Sequence, residues 1–473
     1  MKYFLDHFGC VKNQVDSENM MAHLNNAGWE CAGSAESSDL IIVNSCGFIE
    51  SAKQESINAV LQWRKFFPEK KILLAGCLAQ RYAKELAEIL PEADAFMGTV
   101  NPAQIIQAAE EASRNLKKTP RSIINSHPSL KNTQLFPGGR PLLSLPGSAY
   151  VKISEGCNNR CSFCAIPLIR GSLVSRSIPD ILEECRSLLL RGIKELCIIG
   201  QDIGAFGADS KDIFNKKQFG AEDPAEISLL ELLNAISALE GHFWVRLLYI
   251  HPDHFPLKVL NLIEKDKRFL PYFDIPFQHA STKILAAMNR SRDHSLKTPA
   301  EKYLELINKI RSCLPHAVIR STFLLGFPGE TEEDFDALLD FQEKASLDWL
   351  GCYSYSREEG TESYSMKGRV PVKAAVMRKQ TIEEKQISIT EKNMKRFESC
   401  ELDVLIEEKI DAKETDIHNG DNAIWLGRSY FQAPDIDGSI VITGSEENLK
   451  TGVFYKCRII ASRGFDLEAR VMS

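Results

Sequence analysis

The chain has 473 residues, which is too long for one ordinary domain and suits two or three. It is 44% hydrophobic and 26% charged, as globular proteins are, and its net charge of −7 gives no basic footprint for a nucleic acid. The apolar run in residues 1–6 is interrupted too early for a signal peptide, and no apolar stretch of about 18 residues follows. Thirteen cysteines without a secretion signal favour reduced thiols and metal binding over disulfides, so we expect a cytoplasmic protein.

The first hundred residues alternate short apolar runs with amphipathic segments. Residues 2–8, 40–44 and 71–75 are predicted strands. Residues 16–27 are a predicted helix, with Asp16 or Ser17 placed to cap it. Because strands and helices alternate, we expect an open parallel sheet covered by helices on both faces.

A cysteine closes each of these three strands: Cys10, Cys46 and Cys77. The carboxyl ends of parallel strands lie on one edge of a sheet, and that edge is where ligands bind. Each cysteine has a glycine beside it, which lets the backbone approach a bulky inorganic group: Gly9, Gly47 and Gly76. The sequence therefore predicts that the three thiols converge.

A denser group of thiols, Cys157, Cys161 and Cys164, follows the predicted strand 150–155. Such a C-x3-C-x2-C run suits a soft metal centre, either zinc or an iron–sulfur cluster. Structural zinc takes four ligands, and no fourth Cys or His follows nearby. A four-iron cube held by three cysteines would leave one iron open to a small molecule.

The middle of the chain repeats the strand–helix pattern. Six predicted strands span residues 150–155, 195–200, 244–250, 272–276, 318–325 and 349–353. Helical segments separate them, at residues 179–190, 228–239 and 281–288 among others. This series predicts a partial (β/α)6 barrel with its chemistry at the carboxyl ends of the strands.

Residues 116–147 are rich in Pro, Gly and basic residues and are a predicted linker. Residues 374–400 form a charged helical connector, whose exposed face we expect to be solvated. Residues 401–473 contain five short predicted strands broken by Gly and Asp, which favours a small β-barrel of the oligonucleotide-binding type. This last segment carries 14 acidic against 8 basic residues, a net charge of −6, so we expect it to attract a basic protein rather than RNA.

In domain order and motifs the chain resembles the radical S-adenosylmethionine (SAM) methylthiotransferases over essentially its whole length. The resemblance implies a cysteine-bearing domain at 1–115, a radical SAM core at 148–373 and a TRAM domain at 401–473. Five stretches match the members that modify an aspartate of the twelfth small-subunit ribosomal protein: residues 9–18, 43–49, 155–161, 275–281 and 427–438. Two departures from the pattern, Val11 and Gly200, are not cluster ligands.

The resemblance also implies the cofactors, two 4Fe-4S clusters and SAM. It assigns the radical SAM cluster to Cys157, Cys161 and Cys164, and an auxiliary cluster to Cys10, Cys46 and Cys77. It places the aromatic ring of Phe163 beside the adenine of SAM. Gln201, a polar residue at the predicted mouth of the barrel, is a further expected SAM contact. Arg320 lies inside a strand and needs a carboxylate partner, for which the carboxylate of SAM and a protein Asp or Glu are equal candidates.

The reaction implied is hydrogen abstraction from the β-carbon of an aspartate by a 5′-deoxyadenosyl radical, followed by insertion of a methylthio group. The expected partners are a basic ribosomal protein and an electron donor such as flavodoxin or ferredoxin, with no membrane, and we expect a monomer. Two alternatives remain. One is a tRNA adenosine methylthiotransferase of the same architecture, and the other is an iron–sulfur or zinc protein without catalysis, which would have no need of a substrate cavity.

Overall fold

The computed structural model describes residues 1–99, 101–114, 121–123, 139–209, 224–290, 296–410, 424–443 and 449–472. Apart from the strand at residues 121–123, the predicted linker up to residue 138 lies outside these ranges. Within them, no helix combines the length and the apolar character that crossing a membrane requires.

The N-terminal part is a six-stranded parallel sheet in the order β2-β1-β3-β4-β5-β6. Its strands are β1 (Lys2–His7), β2 (Glu30–Cys31), β3 (Leu40–Ser45), β4 (Lys71–Gly76), β5 (Ala95–Met97) and β6 (Arg121–Ile123). Four helices join them: α1 (Val11–Asn26), α2 (Glu50–Phe66), α3 (Cys77–Ile89) and α4 (Ile105–Arg114). Two apolar clusters lie on the two faces of the sheet, so the predicted open parallel fold is confirmed.

The start of α1 was predicted wrongly. The helix begins at Val11, directly after Cys10, and not at the predicted cap residues Asp16 or Ser17. Those two side chains are buried inside the helix because they serve tertiary contacts. The Ser17 hydroxyl accepts a 2.6 Å hydrogen bond from Asn44 Nδ2, and Asp16 pairs with basic residues of the central domain. The polar residues that the sequence pattern indicated as helix caps therefore form contacts within and between domains instead.

The central part contains the predicted six-strand series. Its parallel sheet runs in the order β14-β13-β12-β11-β10-β7 and remains open, which confirms a partial barrel. The strands are β7 (Ser148–Lys152), β10 (Glu195–Ile199), β11 (Trp244–Leu247), β12 (Phe269–Asp274), β13 (Val318–Leu325) and β14 (Trp349–Ser354), and a small pair adds β8 (Ser154–Glu155) and β9 (Val174–Ser175). The helices are α5 (Ile166–Arg170), α6 (Ile178–Leu190), α7 (Pro224–Ser237), α8 (Val259–Lys265), α9 (Thr282–Ala287), α10 (Pro299–Cys313) and α11 (Glu332–Ala345).

Helix α6 begins with a capping interaction that offers a stability test. The Ser177 side chain accepts a hydrogen bond from the backbone N–H of Asp180, and proline follows within the first turn. Ser177→Ala is expected to lower the free energy of unfolding by about 1 kcal/mol, measured by urea denaturation, because it leaves that N–H without its cap. Ser187→Ala, in the interior of the same helix, is the control and should cost nothing, since alanine favours helix.

The C-terminal part is a closed five-stranded barrel in the order β15-β16-β17-β19-β18, as predicted. Its strands are β15 (Glu401–Ile410), β16 (Ile424–Arg428), β17 (Ile440–Thr443), β18 (Phe454–Arg463) and β19 (Asp466–Val471). The charged connector is the helix α12 (Val372–Met394). The expectation of a solvated face describes only one side of this helix, because the other side is buried. Buried polar side chains of α12 bond to the chain before β14: Gln386 donates to Leu347 O at 2.9 Å, and the Thr390 hydroxyl donates to Asp348 O at 2.8 Å.

One segment of the C-terminal barrel, residues 429–437, fills the amino-terminal end of the central barrel. Its backbone carbonyls accept hydrogen bonds from Arg246 at 2.8 Å and from the Trp349 indole at 2.6 Å. Tyr272 Oη donates to Asp437 Oδ2 at 2.6 Å. The two barrels share one apolar cluster across this junction, so they pack as a single unit with the open carboxyl ends of β7–β14 on the far side.

Candidate metal centres

The three N-terminal cysteines lie at the ends of adjacent strands. Cys10 follows β1 and directly precedes α1, Cys46 follows β3, and Cys77 is the first residue of α3 after β4. Since β1, β3 and β4 are neighbours in the parallel sheet, all three thiols occupy the same edge. Cys77 is buried, Cys46 is half-buried and Cys10 is exposed.

The glycines beside these cysteines permit close contact between the three turns. A Cβ atom added to Gly9 would lie 3.3 Å from Cys46 Sγ, and one added to Gly47 would lie 2.7 Å from the backbone of Cys77. The turns are held by Asn13, whose Nδ2 donates to Phe8 O at 2.7 Å and to Ser45 O at 3.3 Å. The three turns that carry the cysteines are therefore packed closely together at this edge of the sheet.

Gly76 gives a direct test of that close packing. It has a φ of +98°, and a Cβ there would lie 2.5 Å from Ser45 O. Gly76→Ala is expected to displace Cys77 and to lower the iron bound after anaerobic reconstitution by about half, because Cys77 is a predicted ligand of one of two predicted clusters. Iron and sulfide analysis measures this. Gly28→Ala is the control, because Gly28 also has a positive φ, +83°, but nothing lies within 4 Å of its Cβ position.

The second triad lies on the loop between β8 and α5. Cys157 N–H donates to Gly171 O at 3.1 Å, and Cys164 N–H donates to Cys161 O at 3.1 Å, so the loop is folded back on itself. Burial raises the pKa of Cys157 to about 11 and that of Cys164 to about 12. These thiols are therefore protonated without a metal, and metal binding would release their protons. Arg290 Nη1 lies 3.7 Å from Cys161 Sγ.

A buried charge network runs from Cys77 of the first triad to Glu155, in the strand before the second triad. Arg170 Nη2 lies 3.3 Å from Cys77 Sγ and 2.8 Å from Asp16 Oδ2, while its Nη1 donates to Glu155 Oε1 at 2.9 Å. Lys152 pairs with the same two carboxylates, Asp16 and Glu155. Burial opposes ionisation of Glu155, but Arg170 and Lys152 hold its pKa at about 2. The N-terminal sheet is thus fixed by charge to the strand that precedes the second triad.

The three side chains predicted to contact SAM differ in their burial and in their hydrogen-bond partners. Phe163 is half-buried against the core of the central barrel. Gln201 Nε2 donates to Glu155 at 3.2 Å, and its buried Oε1 has no hydrogen-bond partner in the described part of the chain. Arg320 has protein carboxylates as partners, Asp274 at 3.3 Å and Asp437 at 3.5 Å. The SAM contacts remain predictions for all three residues.

The donor chemistry of the two triads suits iron–sulfur clusters, because each triad offers three free thiols, the ligand number of a cluster with one open iron. Within the described ranges, no three His, Cys, Asp or Glu side chains, those of the triads included, are grouped closely enough to hold a metal ion. The fit therefore rests on the type and number of the donors. The buried, unpaired Gln201 Oε1 is an acceptor available to an amino group of a bound ligand.

Sequence reasoning missed the residues that surround the sulfurs. Arg170 donates to Cys77 of the first triad and Arg290 to Cys161 of the second, and Lys152, Asp16 and Glu155 complete the network around Arg170. A weak signal existed in Arg170, a charged residue that ends the short apolar segment after the second triad. Its partners lie up to 154 positions away in the chain, and spacing alone does not identify them.

Comparisons with known proteins agree with this architecture. Residues 2–98 match the model of Uncharacterized protein family UPF0004, residues 151–341 match the Radical SAM superfamily, and residues 400–472 match the TRAM domain. A solved radical SAM methyltransferase, TsrM from Kitasatospora setae with cobalamin and a [4Fe-4S] cluster bound, is similar with a TM-score of 0.52 and 14% identity, covering 76% of this chain and 73% of that one. At this identity the likeness concerns the fold.

Full-length relatives are far more similar. The protein from Treponema denticola named ribosomal protein uS12 methylthiotransferase RimO is 44% identical, covering 98% of this chain and 99% of the relative. The protein of the same name from Pseudothermotoga lettingae is 37% identical over 100% of both chains. All three regions of the chain, with both cysteine triads, lie within these alignments.

Proposed function

The chain belongs to the family of ribosomal protein uS12 methylthiotransferases named RimO, and from that premise we propose that it inserts a methylthio group at the β-carbon of an aspartate of uS12. The observation that carries the proposal is the pair of cysteine triads, with a buried charge network that runs from Cys77 to Glu155, two residues before Cys157. Radical chemistry and sulfur transfer need two centres close to one substrate carbon. A single-cluster electron carrier needs neither the second triad nor a barrel.

The chain's own residues have distinct parts in this proposal. Cys157, Cys161 and Cys164 would hold the radical SAM cluster, and Cys10, Cys46 and Cys77 the auxiliary cluster. These groups, with SAM, supply the radical and the sulfur, since no side-chain acid or base activates an unactivated C–H bond. Arg170 and Arg290 donate to ligand sulfurs, and such hydrogen bonds tune cluster potential.

The open end of the central barrel is the substrate entrance in this proposal, because both triads lie there and the opposite end is filled by residues 429–437. A basic ribosomal protein suits the −6 charge of residues 401–473. We also propose a cytoplasmic, monomeric enzyme that receives electrons from a flavodoxin or ferredoxin. Action on a ribosomal protein supports the compartment, and the need for reductive SAM cleavage supports a low-potential donor.

The test is anaerobic turnover with two competing substrates. The protein is reconstituted with iron and sulfide, given SAM and dithionite, and offered a peptide of the uS12 target loop beside an adenosine-containing tRNA. Mass spectrometry should find one methylthio group on the peptide aspartate. Cys77→Ala should abolish this product but keep 5′-deoxyadenosine formation, whereas Cys161→Ala should abolish both.

Each other outcome contradicts a different part of the proposal. A methylthio group on the tRNA would overturn the substrate and the charge argument, while the chemistry would stand. Absence of 5′-deoxyadenosine from the reconstituted protein would favour a carrier without catalysis. Persistence of the methylthio product in Cys77→Ala would remove the auxiliary cluster from the mechanism.

A further inference from the structure

A buried lysine next to the first triad has no acidic partner. Lys12 lies in the first turn of α1, two residues after Cys10, and only 8% of its surface is exposed. No carboxylate of the described residues lies within 4 Å of its ammonium group, which instead sits 2.8 Å from the centre of the Tyr249 ring. A buried ammonium without a counter-charge is costly, and contact with an aromatic ring offsets only part of that cost.

Three other basic side chains of the site are paired with carboxylates. Lys152 and Arg170 share Asp16 and Glu155. Arg320 is bound by two further aspartates of the barrel interior. The carboxylates of this network are therefore already engaged, and Lys12 remains a buried positive charge without a carboxylate partner among the described residues.

Tyr249 is held in a strained conformation that keeps it under Lys12. Its φ is +67°, a region that residues with a side chain seldom adopt. The backbone is fixed there because Tyr249 O accepts a 3.0 Å hydrogen bond from Ile203 N–H, beyond the end of β11. Strain of this kind persists where the surrounding structure imposes it and is concentrated at binding and catalytic sites.

We propose that the ammonium of Lys12 binds the side-chain carboxylate of the aspartate that is modified. This inference rests on the proposed function and names the group that selects its substrate. In an aspartate the β-carbon adjoins the carboxylate carbon, so a carboxylate held by Lys12 brings the reacting carbon to the end of α1 that carries Cys10. An adenosine base has no anionic group for this lysine.

The test compares two peptides on the reconstituted holoenzyme: the uS12 target-loop peptide and the same peptide with the target aspartate changed to asparagine. Without reductant, their dissociation constants are measured by fluorescence anisotropy. With reductant, KM, kcat and 5′-deoxyadenosine are measured. The wild type should bind the aspartate peptide about 10- to 100-fold more tightly, the range for a charge-assisted hydrogen bond in a buried site.

Three variants separate specificity from structure. Lys12→Met, which keeps the length of the side chain, should abolish the preference and raise KM for the aspartate peptide by the same factor. Lys12→Arg should retain the preference. Lys65→Met removes an exposed lysine from α2 and should change nothing. Iron and sulfide content is measured for each, so that loss of a cluster is recognised.

Equal affinity of the wild type for the two peptides would overturn the proposal while leaving uS12 modification intact. So would a Lys12→Met variant that weakens both peptides equally or that loses iron but keeps the preference, since Lys12 would then be structural. Methylthiolation of tRNA in place of the peptide would refute the proposed function and this inference together.

Discussion

Glu195→Gln is expected to lower the free energy of unfolding by about 3–5 kcal/mol, because it removes the charge that two buried arginines share. Glu195 is fully buried at the start of β10. Its Oε1 lies 2.7 Å from Arg246 Nε, and its Oε2 lies 2.7 Å from Arg428 Nη2 of the C-terminal barrel. The neutral amide leaves both guanidinium groups without their full counter-charge inside the junction. Urea denaturation followed by circular dichroism measures the change.

The matched control is Glu401→Gln. Glu401 pairs with Arg458 at 3.7 Å, but both side chains are at least half exposed, so the loss should be below about 1 kcal/mol. Equal small changes at both sites would contradict the assigned role of Glu195.

The same carboxylate predicts a pH dependence. Burial opposes ionisation of Glu195, yet Arg428 and Arg246 hold its pKa at about 2, against about 4.3 in an unfolded chain. A depressed pKa in the folded state stabilises the protein above the unfolded value, and that contribution is lost as the pH falls from about 4.3 towards 2. The wild type should therefore lose more stability than Glu195→Gln between pH 5 and pH 3.

Arg81→Met is expected to lower methylthio product by about 10²-fold while 5′-deoxyadenosine formation continues, since displacement of about 1 Å between reacting groups has this effect. Arg81, in the helix that begins at Cys77, lies 2.6 Å from Glu358 Oε2 and donates to Gly47 O at 3.1 Å. Glu358 belongs to residues 355–365, which also contact the second triad. There Ser363 N–H donates to Ser162 O at 2.8 Å, between Cys161 and Cys164.

This segment therefore links the helix that begins at Cys77 to the loop of the second triad. Mass spectrometry of the methylthio product, with quantification of 5′-deoxyadenosine, measures how far SAM cleavage is coupled to methylthio insertion. Glu358→Gln should give the same uncoupling from the other side of the ion pair. Arg114→Met is the control, because Arg114 forms an exposed pair with Glu110 in the same N-terminal domain. A parallel fall of both products in Arg81→Met would show that the pair only stabilises the fold.

Periodicity and turn residues were enough to predict all three architectures. Parallel-sheet topology alone placed Cys10, Cys46 and Cys77 on one edge. The carboxyl ends of parallel strands lie on the same edge of a sheet, and this holds whatever the packing of the side chains. The start of α1 was missed, since Asp16 serves an interface and not a cap. Contacts such as that between Glu195 and Arg428 join residues 233 positions apart, and a charged residue in one sequence does not reveal its distant partner.

The charge argument for the C-terminal barrel needs refinement. Two of its acidic residues, Glu407 and Asp437, are buried and face arginines, so they do not contribute to the outward field. Residues 427–438, which carried part of the family resemblance, lie largely in the junction with the central barrel. The similarity of these residues to the family is therefore explained by the packing of the two domains as well as by any contact with a substrate.

The junction formed by residues 429–437 has a consequence for biosynthesis. Trp244, Tyr272 and Trp349 in the central barrel are covered by the C-terminal barrel, which is synthesised after the central barrel. Until then these aromatic side chains are exposed on the nascent chain, which is when aggregation and chaperone capture compete with folding. A premature stop codon just before residue 401 would therefore yield an insoluble fragment instead of a smaller enzyme, even though both cysteine triads would be present.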